Sequence, residues 1–213
     1  MIRAFFVFCA AALSMAACTI EEKTTFKSDF SGESVTKVDM SAMISFMSSM
    51  DSTGASKSKM YKGIQDGMDS VANSKGNDLG LEVKFDTVTN IISVGYKFKS
   101  LDDANEKAKK MAEKNQAAGG TTPKSFYRWE KKDKVLVMPG LEDFNSALNT
   151  QGGASNPMLK GMTISITRSF PQKIAKVSDS RFVLSDGNKT LSFKATIEEL
   201  TANPVKDITV TFK

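Results

Sequence analysis

Two periods alternate along the chain. Residues 24–39 alternate apolar and polar positions and are rich in Thr, Val and Phe, with Gly32 in the middle. That pattern predicts a long strand, or a hairpin turning at Ser31-Gly32. From Ser41 the period changes: Met43, Phe46, Met47 and Met50 recur at i, i+3, i+4 and i+7, one face of a helix, until Ser52-Thr53-Gly54 breaks it. A second helix is predicted over 57–74, with Met60, Ile64, Met68 and Val71 on one stripe. Alternation returns in Leu81-Val83-Phe85 and Ile92-Val94-Tyr96-Phe98, an antiparallel hairpin around 86–90. Ser100 reads as an N-cap with Asp102 and Asp103 in the turn that follows. The third helix it opens turns Leu101, Ala104, Ala108 and Met111 inward and stops at Gly119-Gly120. Residues 126–130 and 135–138 predict another hairpin across Lys131-Lys132-Asp133-Lys134, and 141–148 a short helix. Beyond a loop-like stretch at 150–157, strands are predicted at 162–170, 181–184, 191–195 and 208–212, with Asp186-Gly187 as a turn and one helical turn at 197–201. The expected class is α+β: antiparallel sheet or sheets, about three helices packed on one side, and a β-rich C-terminal part.

The first residues belong to a different pattern. Arg3 precedes an uncharged stretch at 4–17, too short to span a bilayer and ending in small residues, as a secretory signal peptide does. Met15-Ala16-Ala17-Cys18 resembles the lipobox of bacterial lipoproteins, with Met15 where that family usually has Leu. The resemblance implies cleavage before Cys18, diacylglycerol on its sulfur, and a membrane-anchored envelope protein. Thr19, rather than Asp, after the cysteine is similar to lipoproteins sorted to the outer membrane. The expected organisation is a signal at 1–17, a lipidated tether at 18–23 and one domain at 24–213, with a sub-boundary at 150–160. Such a tether reaches only about 20 Å when fully extended, so the domain should sit close to its membrane. Glu21-Glu22 is read as part of that solvated tether, with a faint similarity to the charged export signal of surface-displayed lipoproteins.

Composition removes several function classes. A chain of 213 residues with 40% hydrophobic and 25% charged residues can build a core, so disorder is not expected. The net charge of +5, which drops by one with Arg3, is a mild bias towards anionic partners and falls short of a nucleic-acid footprint. Of the two cysteines, Cys9 leaves with the signal and Cys18 is used by the anchor. No histidine is present, so His-dependent triads, thiol nucleophiles and nearly every zinc site are excluded. No cofactor or metal is expected. Asp102-Asp103, Glu142-Asp143 and Glu198-Glu199 stand at predicted helix starts, where acids suit the dipole and adjacent carboxylates point about 100° apart.

At the C-terminal end, Met162-Thr163-Ile164-Ser165-Ile166-Thr167-Arg168-Ser169-Phe170-Pro171 is a strand closed by a Phe-Pro step. It leads on to Ser185-Asp186-Gly187-Asn188-Lys189-Thr190-Leu191. This rhythm resembles the end of LppM-type lipoprotein domains over residues 160–213. The resemblance implies an envelope-facing, lipid-interacting module and carries over no catalytic residue.

Three groups of residues are candidates for function. The methionines, 12 in all, cluster on the first two helices. Core packing explains them; so does an apolar groove, lined by Met43, Met47, Met60, Ile64 and Met68, for an acyl chain or a partner helix. Met-x-x-Met spacings would suit thioether copper binding but have no His or Cys support. Lys131, Lys132 and Lys134, beside Tyr127, Arg128 and Trp129, form a basic hairpin tip that either contacts anionic headgroups or is simply exposed above inward-packed aromatics. On the third helix, Asp103–Lys107 and Glu106–Lys110 are i, i+4 pairs of a solvated face. The leading expectation is a non-catalytic, membrane-anchored protein binding a lipid-like or anionic envelope component. A structural subunit docking on another envelope protein is the alternative, and a carboxylate-dependent hydrolase comes last.

Overall fold

The computed structural model describes residues 19–50, 54–73, 79–116, 125–142 and 162–213. They form two sheets and four helices. Strands β1 (Thr19–Phe26), β2 (Gly32–Asp39), β3 (Glu82–Asp86), β4 (Ile91–Phe98), β7 (Thr163–Ser169), β9 (Val183–Ser185) and β10 (Thr190–Thr196) make the larger sheet. Its order is β3-β4-β2-β1-β7-β10-β9. Strands β5 (Arg128–Glu130), β6 (Val135–Met138), β8 (Ile174–Val177) and β11 (Ile208–Phe212) make the smaller one, in the order β5-β6-β11-β8. The helices are α1 (Ser41–Met50), α2 (Ala55–Asn73), α3 (Leu101–Gln116) and α4 (Ile197–Ala202). Among the described residues no helix is long and apolar enough to cross a membrane.

The chain is α+β, as the periods predict, with two corrections. First, residues 19–23 are not a tether. They are the first half of β1, which is paired along its length with β2 on one side and β7 on the other. The physical reason lies in the alternation itself. Ile20, Glu22, Thr24 and Phe26 share one face of the strand, and the charge on Glu22 finds a partner inside. Second, β1 and β7 run parallel, so the larger sheet is mixed rather than antiparallel. Parallel neighbours need a long crossover, and here residues 27–162 supply it. The same pairing joins strands from both sides of the 150–160 stretch into one sheet. That stretch, Gly119-Gly120, most of the predicted 141–148 helix and Cys18 lie outside the described residues.

Most hairpins fall where expected. Asp186, Gly187 and Asn188 all have positive φ (50°, 60° and 66°), the geometry that a tight β9–β10 turn requires. Gly32 opens β2 because a Cβ there would collide with the Thr25 carbonyl and press on the Phe98 ring. Strand β8 is an addition that the sequence pattern does not distinguish, since only Ile174 of its four residues is fully buried.

The core lies between the sheets. Ile164, Ile166 and Phe193 from the larger sheet meet Leu136, Met138, Ile208, Val210 and Phe212 from the smaller, with Ile197 and Leu200 of α4. Each such side chain contributes on the order of 1.5–3 kcal/mol on leaving water. Phe26 stacks on Phe170 at 5.0 Å and meets Phe98 edge-on at 5.7 Å, which extends the core towards α3 and its buried Ala104.

Candidate functional site

Strand register orders the inner face of the larger sheet into rows. The first row is apolar: Phe85, Ile92, Val38, Ile20, Ile164 and Ala195. The second is mixed: Val83, Val94, Thr36, Glu22, Ile166 and Phe193. The third is polar until its end: Tyr96, Ser34, Thr24, Arg168 and Leu191. Over β7 and β10 the smaller sheet closes this face, and Ile164 and Ile166 are buried. Over β3, β4 and β2 the cover is different, and Val83, Phe85, Ile92, Val94 and Val38 are only half-buried.

There α2 packs on β3, and α1 packs against α2. The first helix is pinned at its start: Ser41 Oγ donates to the Thr89 carbonyl at 3.1 Å, and the Met40 N–H donates to the Asn90 carbonyl at 3.0 Å. Its Ile44 is buried. The second helix sits on β3, where the Tyr61 ring meets Phe85 edge-on at 5.3 Å and the hydroxyl donates to Asn90 Oδ1 at 2.6 Å. Met43 of α1 and Met60, Ile64 and Met68 of α2 are all half-buried, and none joins the main core cluster. The Met47 side chain lies outside the described residues. All five predicted groove residues therefore lie on these two helices, of which α2 packs on β3 and α1 packs on α2.

Next to that end lies a buried ion pair. Arg168 is 4% exposed, and its Nη1 donates to Glu22 Oε1 at 2.6 Å and to Thr24 Oγ1 at 2.7 Å. Thr24 Oγ1 and Ser34 Oγ share a further hydrogen bond at 3.2 Å. Arg168 Nε is buried with no hydrogen-bond partner among the described residues. Burial opposes the guanidinium charge, but Glu22 and the phenols of Tyr127 and Tyr96 outweigh it and hold the pKa above its ordinary value. Burial first, and Glu22 after it, also push both phenols up, so they remain neutral donors at physiological pH. The arrangement combines a fixed cation, phenolic donors and an apolar strip. It suits holding a ligand better than moving a proton. Among the described residues no three His, Cys, Asp or Glu side chains form a metal-binding group.

Sequence reasoning missed this pair, yet a signal was present. Arg168 occupies an inward position of the alternation Ile164-Ile166-Arg168-Phe170, and Glu22 does the same in Ile20-Glu22-Thr24-Phe26. A charge at an inward position of each of two strands marks candidates for pairing.

The basic hairpin tip is exposed at Lys131, Lys132 and Lys134, with Lys134 at φ 51°. Its aromatics turn inward. Trp129 lies 4.7 Å from Phe30 and 5.9 Å from Phe212, and Tyr127 lies 5.8 Å from Phe26. On α3, Glu106 and Lys110 pair at 2.7 Å as expected. Asp103 instead accepts from the Lys99 N–H, and Lys107 Nζ donates to the Leu79 and Lys97 carbonyls. Capping and loop anchoring thus claim the residues predicted as a surface pair. A second ion pair, Asp179–Arg181, bonds the Asn203 carbonyl and fastens the segment between α4 and β11.

No family model matches the chain, and no curated protein matches it. Among solved structures, the folded domain of the Mycobacterium tuberculosis LppM protein, determined by NMR, is similar at a TM-score of 0.41 and 10% identity. The match covers 91% of this chain and 87% of that one. A likeness of that size assigns no residue and no function here.

Proposed function

We propose that the chain is a lipid-anchored envelope protein, joined to the membrane through Cys18, whose non-catalytic domain holds an apolar, lipid-like envelope component. The ligand lies between α1–α2 and the apolar end of the larger sheet. The observation that carries the reading is that Val83, Phe85, Ile92, Val94 and Val38 of the sheet are only half-buried, as are Met43 of α1 and Met60, Ile64 and Met68 of α2, the helix that packs on β3. A strip of this size, left out of the main core, costs stability unless something apolar covers it. Thioether side chains adapt to an acyl chain more readily than branched ones do.

Native mass spectrometry of residues 19–213, purified gently without the anchor, tests the reading. A retained adduct of lipid mass is expected. Ile64→Gln with Met68→Gln, at half-buried helix positions, should keep the fold by circular dichroism and release the adduct. A clean mass in the parent protein, or an adduct that survives in the folded variant, would shift the weight to docking on an envelope protein.

A further inference from the structure

The two ends of the larger sheet differ in chemistry. β1 starts one residue after Cys18, and Thr19 pairs with Thr163, which pairs with Thr196. This end also holds Asp39 at the close of β2 and the β3–β4 turn. Its charges include Asp39, Asp86 and the α4 first-turn acids Glu198 and Glu199. It also carries Val88, 89% exposed at the tip of that turn.

The opposite end is basic. Lys27 follows β1, and Lys131, Lys132 and Lys134 form the β5–β6 tip. Lys173 precedes β8, Lys189 precedes β10 and Lys213 follows β11; all seven are exposed. Backbone hydrogen bonds draw these segments together: Phe212 N–H to the Lys134 carbonyl at 3.0 Å, Lys213 N–H to the Lys173 carbonyl at 3.0 Å, and Phe170 N–H to the Lys189 carbonyl at 2.9 Å. In the same turns the acids are Asp29, Asp133 and Asp186, and Asp29 is engaged with the Ser31 N–H and hydroxyl. Among the lysines sit two half-buried aromatics, Trp129 and Phe30. Phe30 is held at φ 59°, a left-handed conformation that a bulky residue adopts only under constraint from its surroundings. Beside it a small crevice is lined by Lys27, Phe30, Pro171 and Phe212.

We propose that this end docks an anionic glycan, a sugar polymer bearing carboxylate or sulfate groups. The lysines pair with its charges, and the half-buried Phe30 and Trp129 border the contact. A glycan fits better than a bilayer for two reasons. The aromatics are seated against each other and do not project as a wedge, whereas Val88, the most exposed large apolar side chain among the described residues, stands at the other end. The patch is also separated from the Cys18 end by the length of β1, eight residues or roughly 25 Å at about 3.3 Å each. Only this second reason rests on the anchor; the docking surface is independent of the groove under α1 and α2.

The test uses the full-length chain in mild detergent, with polygalacturonate and heparin as anionic probes and dextran as the neutral control. Binding is read from the fluorescence of Trp129, the only tryptophan. Lys131→Gln/Lys132→Gln/Lys134→Gln should weaken polyanion binding about tenfold, and so should Lys173→Gln/Lys189→Gln/Lys213→Gln. Lys37→Gln/Lys84→Gln/Lys194→Gln, which removes the same charge from the outer face of the larger sheet, should leave it within about twofold. Retained native circular dichroism is required of each variant, and the two tip variants back each other up. The proposal is overturned by equal losses in all three variants, by no binding of either polyanion, or by tighter binding to phosphatidylglycerol vesicles than to the glycans.

Discussion

At the scale of single residues the decisive feature is Arg168. Taking a guanidinium out of water costs several kcal/mol, and Glu22 and Thr24 offset that cost only while both are present. The Nε, without a partner among the described residues, leaves the offset incomplete. Glu22→Gln should therefore destabilise the fold by about 2–3 kcal/mol, less than a fully buried partner would cost, since Glu22 retains some solvent. Glu22→Leu with Arg168→Met removes both charges and should fall within about 1 kcal/mol of the parent, or above it. Urea denaturation of the three proteins decides it. A double variant as unstable as Glu22→Gln would mean that the pair contributes net stability, and that the row is not held at a cost for another purpose.

At the scale of elements, the periods in the sequence located most of the fold. Alternation marked β3, β4, β7, β10 and β11, and Asp186-Gly187 marked a turn that positive φ values bear out. The cap on α3 was legible too: the Asp103 N–H donates to Ser100 Oγ at 3.1 Å. What stayed hidden was partnership. Nothing local distinguishes a strand that will pair in parallel 140 residues away from a solvated tether, and Glu21-Glu22 made the tether reading the natural one. The helical stripe was legible, because Met60, Ile64 and Met68 keep helical spacing. The Arg168–Glu22 pair was legible only as an inward charge on each of two strands, because their contact joins segments distant in the chain. Deleting residues 19–23 separates the two accounts of this segment. A tether could be lost without effect, whereas half of a central strand cannot. The truncated chain should lose cooperative thermal unfolding and expose its core to a hydrophobic dye, while Glu21→Ser, on the exposed face of β1, should change the midpoint by no more than about 2 °C.

At the scale of the whole molecule, placing Cys18 directly before a central strand has a geometric consequence. With the lipid proposed on that cysteine there would be no flexible spacer, so the end of the sheet that holds Thr19, the β3–β4 turn and Val88 would face the bilayer, and the lysine-rich turns would face away. On that proposed anchoring, Lys131, Lys132 and Lys134 would stand at the opposite end of β1 from the membrane and not at its headgroups. Trp129 reports the orientation without a label. With the lipidated protein in neutral vesicles, nitroxide lipids near the headgroups should leave Trp129 emission unchanged, since their quenching acts over roughly 10 Å and the strand alone spans about 25 Å. A tryptophan placed at Val88, in a variant that also carries Trp129→Phe, should be quenched strongly in the same vesicles. Quenching of Trp129 in the parent would lay the sheet flat on the membrane and return the basic hairpin to headgroup contact. Quenching at position 88 alone would leave the lysines free for an anionic partner that the membrane does not supply.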